Sequence, residues 1–191
     1  MTQAIQIKIT LEEIHPPIWR RVLVEETSTL ADLHSIIQQV MGWTNSHLHQ
    51  FTIHGEYYDP NPGDEDFHAK AKDEHDYTLS QLLSFKVKKF DYDYDFGDGW
   101  RHTIIFEDIN PKDPSKKHPL CIQGERSCPP EDVGGPYGYL AMLETLRGPK
   151  SDEKDRFIEW LGGPFSSDKF DLKKANRGLA KIRPGSSDHK Y

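Results

Sequence analysis

The spacing of apolar residues near the N-terminus changes from a two-residue period to a helical period, and this change constrains the fold more than any other feature. Ile5, Ile7, Ile9 and Leu11 alternate with polar residues, as in a half-buried strand. The prolines at residues 16 and 17 end this strand because proline lacks a backbone donor. Residues 18–24 then predict a second strand, so the chain opens with a hairpin.

The helical period begins after Thr29. Thr29 and Asp32 resemble a capping box with Asp in place of the usual Glu or Gln, and Gly42 is well placed to end the helix. The intervening apolar residues follow the spacing of one buried helix face: Leu33, Ile36, Ile37, Val40 and Met41. We therefore predict a helix over residues 32–41 that packs this face against the N-terminal hairpin, completing a ββα unit.

Further elements follow from turn residues and caps. The pattern predicts strands at residues 51–55, 85–94, 100–107 and 120–122, and a short helix from Thr78 to residue 83. It predicts helices at residues 137–147, 151–161 and 172–182, the second with Phe157, Ile158, Trp160 and Leu161 inward. The polar stretches 58–76 and 110–119 are predicted as loops, residues 59–76 being a solvated insertion.

These elements predict an α+β fold with a mixed or antiparallel sheet, an N-terminal ββα unit, a central hairpin and C-terminal helices. The length of 191 residues favours a single domain over residues 1–183, followed by a flexible tail at residues 184–191.

Charge and composition exclude several classes of protein. The net charge of −7, from 24 basic and 31 acidic residues, counts against general binding of nucleic acid. No apolar run approaches a membrane span of roughly 20 residues, and residues 1–10 lack the apolar core of a signal peptide. Two cysteines do not make a disulfide framework. We expect a cytoplasmic protein with no membrane contact.

The turn between the two central strands carries the first candidate chemistry. It reads Asp95-Phe96-Gly97-Asp98-Gly99, with His102 two residues beyond Trp100. Two carboxylates and an imidazole can hold a hard cation or share proton transfer. In the alternative, Asp95 and Asp98 accept hydrogen bonds from turn amides and Trp100 fills the core.

The second candidate is Glu131-Asp132, held between two prolines and two glycines. Rigid irregular backbone of this kind often positions functional groups, and Gly134 and Gly135 could present amides to an anion. The alternative is an acidic start to the following helix. We predict that this segment lies beside the 95–102 hairpin and that both form one surface.

Cysteine and histidine offer weaker metal ligands. Cys121 and Cys128 are spaced more widely than paired zinc cysteines, and a zinc site completed by His102 or His118 is the less favoured interpretation. Four histidines cluster around the first helix and third strand: His34, His47, His49 and His54. If the third strand begins early, His47 and His49 share one of its faces. Their alternative role is donation to carbonyl groups.

Several strings together resemble the plasmid pRiA4b ORF-3-like family. They are Trp19-Arg20-Arg21, Met41-Gly42-Trp43, His47-Leu48-His49-Gln50-Phe51, Tyr94-Asp95-Phe96-Gly97-Asp98-Gly99-Trp100 and Cys128-Pro129-Pro130-Glu131-Asp132-Val133-Gly134-Gly135-Pro136-Tyr137-Gly138-Tyr139. The resemblance spans nearly the whole chain and implies a compact α+β fold. It implies an association with plasmids or mobile elements, but no set of catalytic residues.

Three functions therefore stay open. The favoured one is a non-catalytic interaction or regulatory domain that binds a protein or peptide on a surface containing Trp100, Gly134, Gly135, Tyr137 and Tyr139. The second is a metal-assisted hydrolase that uses Asp95, Asp98, His102, Glu131 or Asp132. The third is an accessory factor of a mobile element that contacts nucleic acid. The first predicts no cofactor, whereas the second requires a divalent metal.

Overall fold

One eight-stranded sheet organises the molecule. In a computed structural model, residues 3–63, 70–111 and 117–182 are described. The strands are β1 (Gln3–Leu11), β2 (Ile18–Glu25), β3 (His49–Ile53), β4 (Glu56–Asp59), β5 (Lys72–Asp73), β6 (Lys89–Tyr94), β7 (Trp100–Pro111) and β8 (Leu120–Glu125). Their order is β5-β4-β3-β6-β7-β1-β2-β8, and every pairing is antiparallel except that of β4 with β5.

Five α-helices accompany this sheet in the described residues. They are α1 (Leu30–Met41), α2 (Leu79–Ser84), α3 (Gly135–Arg147), α4 (Asp152–Trp160) and α5 (Leu172–Leu179). The predicted α+β class, the ββα opening, the central hairpin and the C-terminal helices are confirmed. None of these helices is both long and apolar enough to traverse a membrane.

The N-terminal ββα unit forms as the periodicity predicts. Alternate residues of β1 are buried, and β1 pairs with both β2 and β7 near the centre of the sheet. The capping box at Thr29 is complete, since Thr29 N donates to Asp32 Oδ2 at 2.9 Å and Asp32 N donates to Thr29 Oγ1 at 3.1 Å. Ile36 and Ile37 are buried in the common core, which confirms the predicted apolar face of α1.

A buried arginine joins the sheet to the end of α1. Arg20 is 1% exposed and donates to the backbone oxygens of Val40, Trp19, Glu125 and Arg126 at 2.8–2.9 Å. Its guanidinium also lies 3.9 Å from the centre of the Phe170 ring. Burial lowers the pKa of Arg20 from its usual value. One side chain thus links β2, the C-terminus of α1 and the end of β8.

The outer edge of β8 is covered by the C-terminal part of the chain. Asn176 of α5 accepts a hydrogen bond from Cys121 N at 2.9 Å and donates to Cys121 O at 2.9 Å. Further along the strand, Gly124 lies so close to Phe170 that a Cβ atom would meet the ring at 2.7 Å. Both contacts hold residues 170–179 against the strand.

The predicted solvated insertion at residues 59–76 is wrong for Asp59 and Glu74, whereas residues 61–63, 70, 75 and 76 are exposed. Asp59 and Glu74 are buried, residues 72–73 form β5, and Glu74–Asp76 is a single helical turn. The reason is a long-range contact: Glu74 Oε2 lies 2.9 Å from His49 Nε2 on β3. Residues 64–69 of this stretch, residues 112–116 of the predicted loop at 110–119 and the predicted tail at 184–191 lie outside the described residues.

Several other predicted elements differ in extent. β7 continues to Pro111, β6 begins at Lys89, and α5 ends at Leu179. The inward face predicted for α4 holds only in part: Phe157, Ile158 and Leu161 are half-buried, and Phe157 and Leu161 pack against the core, but Trp160 is 49% exposed. This helix packs against α3, so its few apolar side chains are only partly covered.

Candidate metal centre

The turn that joins β6 to β7 directs one carboxylate oxygen of Asp95 towards His47. Asp95 has a left-handed backbone (φ 55°), and its Oδ1 accepts hydrogen bonds from Gly97 N at 3.0 Å and Asp98 N at 3.2 Å. Oδ1 of Asp95 therefore has the role given by the alternative interpretation of the sequence, in which the carboxylate accepts hydrogen bonds from turn amides. The other oxygen, Oδ2, faces His47 Nε2 at 3.6 Å, so Asp95 both shapes the turn and presents a charged oxygen beyond it.

The Glu131-Asp132 segment is anchored to the loop between α1 and β3. Glu131 Oε1 accepts hydrogen bonds from Thr44 N at 2.8 Å and from the Tyr94 hydroxyl at 3.0 Å. Trp43 Nε1 donates to Pro129 O at 3.0 Å. The Glu131 carboxylate is therefore fixed in position on the same side of the fold as the Asp95 turn.

The two predicted segments lie side by side, as expected from the sequence. Gly134 N donates to Asp98 Oδ2 at 3.2 Å. A Cβ atom on Gly135, whose φ is +67°, would stand 2.4 Å from the carbonyl oxygen of Asp98. Asp98 thus joins the segments and does not contribute its carboxylate to the Asp95 side of the turn.

His47 lies where three carboxylates converge. Its Nε2 is 3.1 Å from Asp132 Oδ1, 3.6 Å from Asp95 Oδ2 and 3.8 Å from Glu131 Oε2. This nitrogen is shielded from solvent, yet none of its contacts with the three carboxylates has the geometry of a hydrogen bond. One ligand atom each from His47, Asp95 and Asp132 lie within 4.8 Å of one another, which is close enough to share a metal ion.

Aromatic residues support this cluster from inside. Trp43 packs on Tyr94 with ring centres 4.8 Å apart and meets His102 edge-on at 5.3 Å. The Tyr94 ring also packs against His47 at 5.8 Å. Burial, with the adjacent Glu131 charge, raises the pKa of the Tyr94 hydroxyl, so it stays a hydrogen-bond donor to Glu131.

Other candidates from the sequence have different positions. Trp100, His102 and Tyr139 are buried and cannot contribute side chains to an exposed binding surface. Tyr137, by contrast, is 88% exposed at the start of α3. Gly134 contacts Asp98, as described above, and Gly135 is buried against the same turn.

The histidine cluster predicted from sequence separates into two environments. His49 is buried in β3 and stacks on His34 with ring centres 3.5 Å apart, whereas His47 precedes the strand and faces the carboxylates. His47 and His49 would share a strand face only if the strand began early, and this condition is not met because β3 begins at His49. The sequence signal for His47 was its place at the start of the string His47-Leu48-His49-Gln50-Phe51, one of those that resemble the family.

The cysteines lie apart from this cluster. Cys121 is buried in β8 and its thiol contacts Gln123 O at 3.5 Å. Burial raises the pKa of the Cys128 thiol to about 12, which disfavours the thiolate that zinc requires. Within residues 3–63, 70–111 and 117–182, neither cysteine belongs to a group of three metal-ligating side chains. Zinc binding by Cys121 and Cys128 stays disfavoured on these grounds.

His102 should make the stability of the fold depend on pH. Its Nδ1 donates to Tyr92 O at 3.2 Å, and burial lowers its pKa to about 4. The unfolded chain takes up this proton below about pH 6.5, so stability is full above that pH and falls as the pH drops towards 4. Between pH 7 and pH 5, the free energy of unfolding should fall by about 2 kcal/mol more than in His102→Gln.

Urea unfolding at the two pH values measures this difference. The matched control is His15→Gln, which removes an exposed histidine and should retain the pH dependence of the parent chain. Equal pH dependence in His102→Gln and the parent would show that His102 is not the titrating group.

Comparison with known proteins gives a family and no activity. The family model described as "Plasmid pRiA4b ORF-3-like protein" matches residues 3–174. "Uncharacterized protein y4hQ" of Sinorhizobium fredii (strain NBRC 101917 / NGR234) is 37% identical over 179 residues, covering 92% of this chain and 88% of the relative. The crystal structure of "Protein of Unknown Function MM3350" from Methanosarcina mazei Go1 is 34% identical, with a TM-score of 0.82, and the match covers 91% of this chain and 97% of that one.

Proposed function

This chain belongs to the plasmid pRiA4b ORF-3-like family, and we propose that it binds a divalent metal ion through His47, Asp95 and Asp132 and uses the ion for hydrolysis. The family's link to plasmids rests on its name alone, and neither relative is named for an activity. The proposal therefore starts from the geometry of the cluster.

The observation that carries this proposal is the position of His47 Nε2. A nitrogen shielded from solvent and without a hydrogen bond costs free energy unless another partner satisfies it. Carboxylate oxygens lie around it at 3.1–3.8 Å, and their mutual repulsion adds to that cost. A divalent cation bound to the imidazole and to two carboxylates relieves both penalties.

The ligand set indicates the class of metal. Imidazole suits Zn²⁺ and other transition metals, whereas carboxylates also suit Mn²⁺ and Mg²⁺. One imidazole and two carboxylates therefore favour Zn²⁺ or Mn²⁺. Three protein ligands are typical of catalytic zinc sites, in which a water molecule completes the coordination and loses its proton near neutral pH.

Glu131 has the place of a proton acceptor in this site. Its Oε1 is held by Thr44 and Tyr94, while its Oε2 points towards His47 at 3.8 Å. It lies outside the group of three ligands but next to it. If the three ligands held an ion, Glu131 would be placed to accept a proton from a water molecule beside them.

Calorimetric titration of chelator-treated protein with Zn²⁺ and with Mn²⁺ tests metal binding directly. We expect one ion per chain, with affinity lowered at least about tenfold in His47→Ala and in Asp95→Asn, because each change removes a ligand. The matched control is His54→Asn, which removes an exposed histidine at a left-handed position that asparagine tolerates.

Binding of unchanged strength in His47→Ala, or no binding at all to the folded parent chain, would contradict the proposal. If His47 served only to link the carboxylates without an ion, added metal would leave the thermal stability unchanged, whereas a bound ion should raise it.

A further inference from the structure

The loop between α1 and β3 carries His47, and Asn45 joins this loop to buried side chains of α1. Asn45 N donates to Gln38 Oε1 at 2.9 Å, and Asn45 Oδ1 lies 2.7 Å from His34 Nε2. Asn45 has a left-handed backbone, with a φ of 58°, a conformation that asparagine adopts more readily than most residues. His47 follows two positions later, so the conformation at Asn45 sets the direction of the chain towards it.

The two α1 partners of Asn45 are themselves fixed. His34 and Gln38 are buried, and the Tyr92 hydroxyl on β6 lies 2.8 Å from His34 Nδ1 and 3.2 Å from Gln38 Nε2. A neutral His34 with its proton on Nε2 satisfies this network: Gln38 donates to Tyr92, Tyr92 donates to His34, and His34 donates to Asn45. The His34 ring also stacks on His49 with ring centres 3.5 Å apart. Asn45 is thus held by groups that have little freedom to move.

The residues on either side of Asn45 join the loop to the candidate metal centre. Thr44 N donates to Glu131 Oε1 at 2.8 Å, and Ser46 N donates to the Tyr94 hydroxyl at 3.1 Å. The backbone amides of three successive residues are therefore hydrogen-bonded. The two outer amides contact residues beside the carboxylate cluster, whereas the middle residue contacts α1. Asn45 thus connects the helix to the loop that faces the carboxylates.

We infer that Asn45 is a positioning residue of the metal centre, which holds His47 Nε2 at the carboxylate cluster through its contacts with α1. His47 Nε2 makes no hydrogen bond of its own, so its position depends on the loop and on packing of the ring against Tyr94. A ligand that is fixed before the ion arrives loses less conformational freedom on binding, and the affinity is higher for that reason. The effect on metal affinity rests on the proposed function, because it requires His47 to be a ligand.

Calorimetric titration of chelator-treated Asn45→Gly with Zn²⁺ measures the contribution of Asn45. Glycine adopts the left-handed backbone but removes the contact with His34. We expect the zinc affinity to fall about tenfold, the lower end of the effect found when a residue that orients a metal ligand is lost. The matched control is Asn176→Ala, which removes two hydrogen bonds made by an asparagine of α5. It should lower stability and leave zinc affinity unchanged. Equal zinc affinity in Asn45→Gly and the parent chain would overturn the inference.

Two replacements of His34 separate the positioning of the loop from the packing of the core. His34→Gln retains a nitrogen donor that can reach Asn45, whereas His34→Leu retains apolar bulk without a donor. Both variants lose the stacking on His49. Zinc affinity should fall about tenfold in His34→Leu and less than about threefold in His34→Gln. Equal losses in the two variants would show that the contact with Asn45 does not set the affinity.

NMR spectra of the metal-free chain distinguish this inference from the function on which it rests. The imidazole signals of His47, identified by their loss in His47→Ala, should shift or broaden in Asn45→Gly and remain in place in Asn176→Ala. Unchanged His47 signals in Asn45→Gly would overturn the inference whether or not the parent chain binds zinc. A parent chain that binds no zinc, with His47 signals displaced in Asn45→Gly, would contradict the proposed function and support the positioning of His47 by Asn45.

Discussion

Replacement of Arg20 by leucine should lower the free energy of unfolding by about 4 kcal/mol or more, since buried acceptors left without donors cost about 1–3 kcal/mol each. Arg20 donates to four backbone oxygens. Leucine fills part of the space but donates to none of them. One of the four, Val40 O, belongs to the last turn of α1, where a positive charge also stabilises the helix dipole.

Chemical denaturation of Arg20→Leu and Arg21→Leu measures the difference between neighbouring arginines. Arg21 points to the other face of the sheet and pairs with Glu107 at 2.6 Å, with its side chain 24% exposed. Loss of such a surface pair costs about 1 kcal/mol or less. Similar losses in the two variants would show that the hydrogen bonds of Arg20 do not contribute the expected stability.

Gly135→Ala should destabilise the chain by about 3 kcal/mol, because a left-handed backbone and steric overlap each cost ~1–3 kcal/mol. The added Cβ atom would stand 2.4 Å from the carbonyl oxygen of Asp98. Backbone must move to accommodate it, so the Asp95 turn and the Glu131-Asp132 segment separate. Metal affinity should fall in the same variant, because Asp95 and Asp132 lie in the two displaced segments.

Gly162→Ala is the matched control for this clash. Gly162 also has a positive φ, +70°, but no atom lies within 4 Å of its added Cβ. Gly162→Ala should lower the free energy of unfolding only by the backbone strain, about 1–2 kcal/mol, and should leave the metal affinity unchanged. Thermal or chemical unfolding and zinc titration of both variants separate strain from overlap. Equal losses at the two glycines would contradict a tight contact between the segments.

Elements fixed by local chemistry could be predicted from the sequence. The alternation in β1 and the capping box of α1 depend on residues within a few positions of one another, and both predictions are confirmed. The burial of Glu74 was not predictable in this way, because its partner His49 is 25 residues away. The exposure of Trp160 also depends on tertiary contacts, as its helix packs on α3.

In the candidate site, too, local features could be predicted from the sequence and long-range contacts could not. The sequence identified Asp95, Glu131 and Asp132 as candidates, and the short connection between their segments predicted that the two segments form one surface. The sequence could not place His47 at the centre of the site, because the three carboxylates that surround it belong to residues 48 to 85 positions further along the chain. Their convergence is also what favours a metal centre over the interaction domain that the sequence alone favoured.

The contact between Asn176 and Cys121 has a consequence for assembly. The edge of a sheet normally offers unpaired amide and carbonyl groups to a strand of another chain. Here the side-chain amide of Asn176 accepts a hydrogen bond from the N–H of Cys121 and donates one to its C=O. An added strand would make the same two hydrogen bonds. The opposite edge, β5, has only two residues. The eight-stranded sheet is thus terminated at both ends, which disfavours its continuation from one molecule into the next.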